Sequence, residues 1–438
     1  MKSKLLLTGM LFLGLLGACQ RYGYDDYLIN TDKSKANEIK IAVVSDIHYM
    51  DPSLLVHDGS AFQAYLAHDP KLLVQSDTIL RATIKLLIAQ HPDLVLIAGD
   101  LTKDGEKVSH QSVANLLKQL TCNGIKVLVT VGNHDVSNPE AFKFDGDNVI
   151  PVQTVTPADI LSIYSDFGFG NAICKDPNSL SYVNEPFKKF WVIVIDANEY
   201  YNNTTQSTVA GTIKPATMAW IKERLAEAKK KGITIIGMMH HNVLEHFVGQ
   251  SEIDPGYVVD DWQTVSEELM NAGLTMMFTG HYHSNDIVKR TIGNKFLFDV
   301  ETGSMVQYPC TYRILNINSK KYSFKSWPVS LLLGSQFDLY AKTFLRSHLD
   351  GYFHYLLVHN FALTDSAAMI GAPLYTDASI AHFSGDEVLT NEEYAKIIYF
   401  TGPNPAGSIL GSILLSLWTD PNTKDNTLTI NMANGSAN

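Results

Sequence analysis

The sequence predicts an α/β fold, and three observations carry that expectation. Short, near-continuous apolar runs rich in β-branched side chains suit strands buried on both faces. Stretches of helical spacing separate them, so the order along the chain is strand, helix, strand. Of the 438 residues, 45% are apolar and 18% charged. That excludes a disordered or fibrous chain and leaves enough apolar surface for a sizeable core.

The first strand is read at residues 39–45 (IKIAVVS). Residues 71–90 follow as a helix, with Leu80, Ile84, Leu87 and Ile88 on one stripe and Pro92 as the stop signal. A second strand (94–98), a second helix (108–120) and a third strand (126–131) continue the alternation. Segments 137–185 and 200–213 break it. They are rich in Asn, Asp, Pro, Gly and Ser, and read as functional loops. Further strands are expected at 190–195, 233–239 and 274–278. Between the first two of these, residues 216–231 form an amphipathic helix closed by Gly232. Lys229, Lys230 and Lys231 in its last turn complement the helix dipole. Strands near 286–291, 295–300 and 311–317 would extend one edge. After Pro328 the texture changes. Residues 335–415 read as helical and aromatic-rich, so 331–438 is expected to be a C-terminal helical region.

Ahead of the first strand, Lys2 and Lys4 precede a 14-residue apolar run. A bilayer span needs roughly 20 such residues, so the run suits the core of a signal peptide. It ends in Leu16-Gly17-Ala18-Cys19, which resembles the lipobox of bacterial lipoproteins. There the cysteine thiol is acylated and the chain is cut just before it. The resemblance implies an extracytoplasmic chain held at the membrane through lipidated Cys19, with 1–18 removed and 19–38 as a tether. Loss of Lys2 and Lys4 with the leader takes the formal charge from −11 to −13. Such a charge argues against a duplex nucleic acid held on a broad basic face. Four cysteines exclude a disulfide framework; with Cys19 lipidated, at most one pair can form among Cys122, Cys174 and Cys310.

Polar residues gather where the strands stop. The successive strand ends read Asp46-Ile47-His48, Gly99-Asp100, Gly132-Asn133-His134-Asp135, His240-His241-Asn242 and Gly280-His281-Tyr282-His283. Ligands of open α/β sheets bind beyond the carboxyl ends of the strands. Residues i and i+2 of an extended segment share a face, so Asp46 and His48 can grip one ion and His281 and His283 can serve two. Gly99, Gly132 and Gly280 permit tight turns or close approach. Oxygen and imidazole donors without thiolate suit Mn, Fe, Zn or Co. Seven such donors exceed the needs of one ion, and two ions about 3.5–4 Å apart, bridged by a carboxylate, use them all.

The ordered set resembles the calcineurin-like metallophosphoesterases, whose pattern is Asp-x-His, Gly-Asp, Gly-Asn-His-Asp/Glu, a His after a strand, and Gly-His-x-His. It spans residues 46–283 here. The resemblance implies a four-layer α/β/β/α sandwich over 39–330 with a dinuclear metal site. It implies that Asp46, His48 and His283 hold one ion and Asn133, His240 and His281 the other, with Asp100 bridging. His241 also follows its strand, but the family ligand comes first after the apolar run, which favours His240. His134 matches the substrate-facing histidine, with Asp135 expected to orient its ring. The implied reaction is hydrolysis of a phosphoric ester by a metal-activated hydroxide.

Departures from the pattern narrow the branch. Gly99-Asp100-Leu101-Thr102 is followed by Lys103, not by the tyrosine ligand of purple acid phosphatases. Gly132-Asn133-His134-Asp135 runs into Val136-Ser137-Asn138, unlike bacterial 5′-nucleotidases. The short motifs look most like class III cyclic nucleotide phosphodiesterases. The expected substrate is therefore a small phosphodiester, with a phosphomonoester or nucleotide as the rival. A non-catalytic metal-binding lipoprotein is the alternative from another class. Specificity is expected in 137–185, 200–213 and 243–262.

The remaining polar and aromatic residues receive plainer readings. Asp196 could support the site or cap the next segment. Tyr49, Tyr200, Tyr201 and Tyr282 are assigned to packing, as is a stripe of Phe344, Tyr352, Phe353 and Tyr355 between the helical region and the main domain. His57, His68, His91, His110, His348, His354, His359 and His382 read as ordinary histidines, and His246 is left unassigned.

Overall fold

The computed structural model describes residues 38–419 and 424–438. The segments read as leader and tether, as far as residue 37 and with Cys19 among them, lie outside the described residues. Two seven-stranded sheets form the body. In the first, Glu38–Val44, Leu94–Ala98 and Lys126–Thr130 run parallel, with Ala42 beside Val95 and Val95 beside Val127. Their crossovers are the helices Ser76–Gln90 and Lys107–Cys122. The first helix starts five residues later than its apolar stripe suggests. Leu73–Gln75 forms a tight 3₁₀ turn, and the Ser76 hydroxyl donates to the Leu73 carbonyl at 2.7 Å. Lys71 is thereby left ahead of the helix.

In the second sheet Phe190–Ile195, Thr234–Met239, Met276–Thr279 and Lys295–Glu301 are parallel. Phe190, Val192 and Val194 join the core shared with the first sheet. Trp191, Ile193 and Ile195 alternate to the opposite face, under the helices Pro215–Lys231 and Trp262–Ala272. Burial on both faces explains why the strand reads as an unbroken apolar run. The result is helix, sheet, sheet, helix, the four-layer sandwich that the resemblance implies.

Three expectations change in detail. The late strands do not share one edge. Ile287–Ile292 and Lys295–Glu301 extend the second sheet, whereas Thr311–Asn318 pairs antiparallel with the first strand, Ile41 opposite Leu315. The 137–185 segment is not all loop: Phe142–Asp145 and Asn148–Pro151 join Leu55–His57 in a small third sheet. The C-terminal helices Ser335–His359, Asp365–Ser384, Asn391–Thr401 and Ile409–Trp418 form a layer of their own, but the chain then returns. Thr427–Asn431 pairs with Lys321–Pro328, Leu428 opposite Phe324, so the final segment belongs to the first sheet. A sparse alternation, TLTIN, carries that strand and is easily overlooked.

Cys174 and Cys310 are free thiols, so no two of Cys122, Cys174 and Cys310 pair with each other. Among the described residues no helix is long and apolar enough to cross a membrane.

Candidate metal centre

The five strand ends converge at one edge of the sandwich. Three triads have ligand atoms within 4.8 Å of one another: Asp46, His48 and His283; His48, Asp100 and His134; Asp100, His240 and His281. Asp100 Oδ2 lies 3.4 Å from His48 Nε2 and 3.4 Å from His240 Nε2, so one carboxylate oxygen faces both sides. On one side His283 Nε2 is 3.4 Å from Asp46 Oδ1 and 3.3 Å from His48 Nε2. On the other, Asn133 Oδ1 is 3.2 Å from His240 Nε2.

The other ring nitrogens orient these imidazoles. His240 Nδ1 lies 2.9 Å from the Ala98 carbonyl, and His281 Nε2 lies 3.1 Å from that of Gly256, which leaves His281 Nδ1 for the cluster. His283 Nδ1 meets Gln307 Oε1 at 3.1 Å. Such outer partners fix tautomer and direction in metal-binding histidines. His241 places its Nε2 on the Val209 carbonyl at 2.9 Å, so His240 is the one that faces Asp100.

The backbone here is unusual. Asp46, His48, Asp100, His281 and His283 all have positive φ, between 39° and 79°. Asp and His enter this region more readily than most residues, yet each such residue stores strain. These pairs therefore do not share a face through extended i, i+2 geometry. The chain has left the strand by Asp46 and turns, with Asp46 N–H donating to the Gly99 carbonyl and His48 N–H to that of Asp100. The turns aim the side chains. The glycines make room for them: a Cβ on Gly132 would lie 2.1 Å from Asp100 Oδ1, and one on Gly280 2.3 Å from Asp46 Oδ2.

The cluster is rich in charge and nearly sealed, with Asp46, His48 and His240 fully buried. Burial pushes the Asp100 carboxyl up, but His240, His134 and His48 outweigh it and hold it well below the usual range. Burial lowers His240, yet Asp100 and Asp46 raise it to about 9. The pocket thus favours positive charge beside its carboxylates. Imidazole, amide and carboxylate donors sharing one central oxygen fit a pair of divalent cations.

One expected role is corrected. Asp135 does not touch the His134 ring. Its carboxylate accepts from the backbone N–H groups of Leu101, Thr102 and Gly132, at 2.8 to 3.0 Å, and so clamps two strand-end loops together. Asp104 orients the ring instead, its Oδ1 lying 2.8 Å from His134 Nδ1. Burial raises the Asp104 carboxyl, but Lys103 and His134 outweigh it and hold it at about 2. Lys103 is itself buried, bridging Asp104 and Glu106. For His134, burial and Lys71 lower the pKa while Asp100 and Asp104 raise it, and the net effect is a rise.

Lys71 is a second residue the sequence reading passed over. The apolar spacing places it in a helix, yet its Nζ lies 3.5 Å from His134 Nε2 and 3.0 Å from Asp69 Oδ2. The signal for Asp104 was present in Gly99-Asp100-Leu101-Thr102-Lys103-Asp104, a second carboxylate on the same strand-end loop. Nothing in the sequence marked Lys71.

The sequence model of the calcineurin-like phosphoesterases matches residues 39–285. The chain belongs to the calcineurin-like phosphoesterase family. Solved structures that align with the chain include a dimetal phosphatase from Danio rerio, at 12% identity and TM-score 0.45, covering 66% of this chain and 96% of that one. A 5′-nucleotidase precursor from Thermus thermophilus aligns at 12% identity and TM-score 0.38, covering 72% of this chain and 59% of that one. A predicted phosphoesterase from Streptococcus pneumoniae aligns at 13% identity and TM-score 0.27, covering 67% and 92%. No curated protein matches the chain. At the periphery the sequence reading holds for Asp196 and Tyr49 and changes for the residues near the C-terminal helices. Asp196 caps the segment that follows it, accepting from Asn198 N–H at 3.1 Å, and ties it to the neighbouring turn through Leu180 N–H at 3.1 Å. Tyr49 is buried with its hydroxyl on Asp77. Tyr282, His348, Tyr352, Phe353 and Tyr355 do not simply fill core: they line a cavity that opens from the metal centre.

Proposed function

We propose that the chain is a two-metal phosphodiesterase acting on small phosphodiesters. The observation that carries the reading is Asp100 Oδ2, equidistant from His48 Nε2 and His240 Nε2, with His134 beside it. Asp46, His48 and His283 would hold one cation, Asn133, His240 and His281 the other, and Asp100 both. Bound cations supply Lewis-acid charge for the phosphoryl oxygens and activate water. Metal identity is open among Mn, Fe, Zn and Co.

The chain's own residues supply the rest. Asp104 holds His134 Nδ1, so Nε2 points at the substrate. As imidazolium, His134 gives the Nε2 proton to the leaving oxygen when its bond to phosphorus breaks, releasing an alcohol and a phosphomonoester. Lys71 adds one positive charge beside it. Among the described residues it is the one Lys or Arg lining the cavity, and Asp69 already pairs with it. A diester carries one negative charge where a monoester at neutral pH carries nearly two, so this balance favours the diester. The test compares bis-p-nitrophenyl phosphate with p-nitrophenyl phosphate under added Mn²⁺. Faster diester turnover supports the reading. Faster monoester turnover replaces it with a phosphomonoesterase, and no turnover with several metals leaves a metal-binding protein.

The same proposal places the enzyme outside the cytoplasm on a bacterial membrane, through acylated Cys19. Its support is the leader sequence alone. In a bacterial host, Cys19→Ser should move the protein out of the membrane fraction and abolish labelling by fatty acid. Unchanged fractionation sinks the anchor.

A further inference from the structure

The cavity that opens from the metal centre extends well beyond it. Its volume is about 940 Å³, near the top of the ~300–1,000 Å³ usual for ligand sites. One end is polar, walled by Asp100, His134 and Lys71. The other lies under the C-terminal helices and is walled by such residues as Leu356, Leu357, Phe383 and Leu417. A small diester reaches only the polar end. At the far end two tyrosines already spend their hydroxyls, Tyr375 donating to the Leu410 carbonyl at 2.8 Å and Tyr282 to Asp254 at 3.2 Å. That end suits hydrocarbon, each methylene of which gains about 0.8 kcal/mol on burial.

We propose that the substrate is an amphiphilic phosphoester, its phosphate at the metal centre and a long hydrocarbon chain in the cavity under the C-terminal helices. The proposal rests on the phosphoesterase reading and replaces its small substrate with a long-chain one. A second observation points the same way. Among the described residues, 13 of the 22 exposed large hydrophobics lie at position 331 or beyond, Leu339, Tyr355, Met369, Tyr399 and Ile409 among them. A helical layer that exposes this many apolar side chains can meet an apolar phase, from which a chain enters the cavity without crossing water.

Binding tests this apart from turnover. By calorimetry on the purified full chain, dodecylphosphonate should bind at least about 100-fold more tightly than methylphosphonate, with a negative heat-capacity change. Leu356→Asp makes the far wall polar. Gly351→Trp instead occupies space, since a Cβ there has nothing within 4 Å. Each should remove most of the gap while methylphosphonate binding and hydrolysis of methyl p-nitrophenyl phosphate stay unchanged. Equal affinity for the two phosphonates, or a gap that survives both variants, overturns the proposal and leaves the phosphoesterase reading intact. Failure to hydrolyse methyl p-nitrophenyl phosphate with any metal strikes the phosphoesterase reading itself.

Discussion

His240 and His246 lie on one stretch of chain, both buried beside carboxylates, yet their surroundings do opposite things. Around His240 the donor atoms outnumber the protons: Asp100 Oδ2, Asn133 Oδ1 and the imidazoles of His48 and His283 face one another at 3.2 to 3.4 Å. Around His246 carboxylates surround the ring, which makes one hydrogen bond, to Asp286. Nδ1 lies 2.8 Å from Asp286 Oδ2, and Nε2 lies 3.4 Å from Asp299 Oδ2. Asp299 is further held by the Val243 N–H at 2.6 Å and the Thr279 hydroxyl at 2.6 Å. Five residues of the first cluster have positive φ and several line the cavity; His246, Asp286, Asp299 and Glu301 do neither. Burial of charge is common to both clusters. Backbone strain, surplus donors and an opening separate a binding site from a structural knot.

The comparison breaks first at Asp100. Asp100→Ala removes the oxygen common to both sides, and the protein should lose the metal pair and turnover by about 10³-fold or more. Metal analysis of the purified variant checks this; two ions retained would remove Asp100 from the bridging role. His134→Ala should keep both ions and lose about 10²–10⁴-fold in turnover. Wild-type turnover in that variant would exclude His134 as the proton donor. His246→Ala should show the reverse pattern: metal and turnover intact in the surviving folded fraction, stability lower by about 3–5 kcal/mol because carboxylates are left buried and unpaired. Chemical denaturation measures it. Lost metal with unchanged stability would show that the two clusters are not distinct.

Legibility in the sequence followed the same division. The strand ends were readable because an apolar run that stops at Asp, His or Asn is unusual, and five such stops share one pattern. The sandwich followed from the both-face burial of strands such as Phe190–Ile195. Asp104 was missed because the ring it holds belongs to another loop, and contacts between loops leave no periodicity. The family motif sets Asp135 beside His134 and suggests the role, whereas its carboxylate turns back onto three backbone N–H groups. His246 stayed unassigned because its partners Asp286 and Asp299 come from distant strands, a meeting only the fold creates.

The smallest expected effect lies in the knot and is a slope rather than a loss. Burial pushes the Glu301 carboxyl from an ordinary 4.5 to about 8, despite the opposing pull of His246 and the Ser284 hydroxyl. Between those values the unfolded chain releases a proton that the folded chain keeps. Stability therefore falls as pH rises from about 4.5 to about 8. His246 acts in the same direction. Burial opposes its charge, but Asp286 and Asp299 raise its pKa well above the usual value, so its contribution is complete below about 6.5 and is lost as pH climbs through the raised pKa. Glu301→Gln removes the first of these titrations and keeps the side chain's shape. The melting temperature of the variant should fall less than that of the wild type between pH 5 and 8, and the two curves should converge at the acid end. Parallel curves would mean that Glu301 is ionised in the folded protein, and that the knot, like the metal centre, holds more negative charge than its histidine balances.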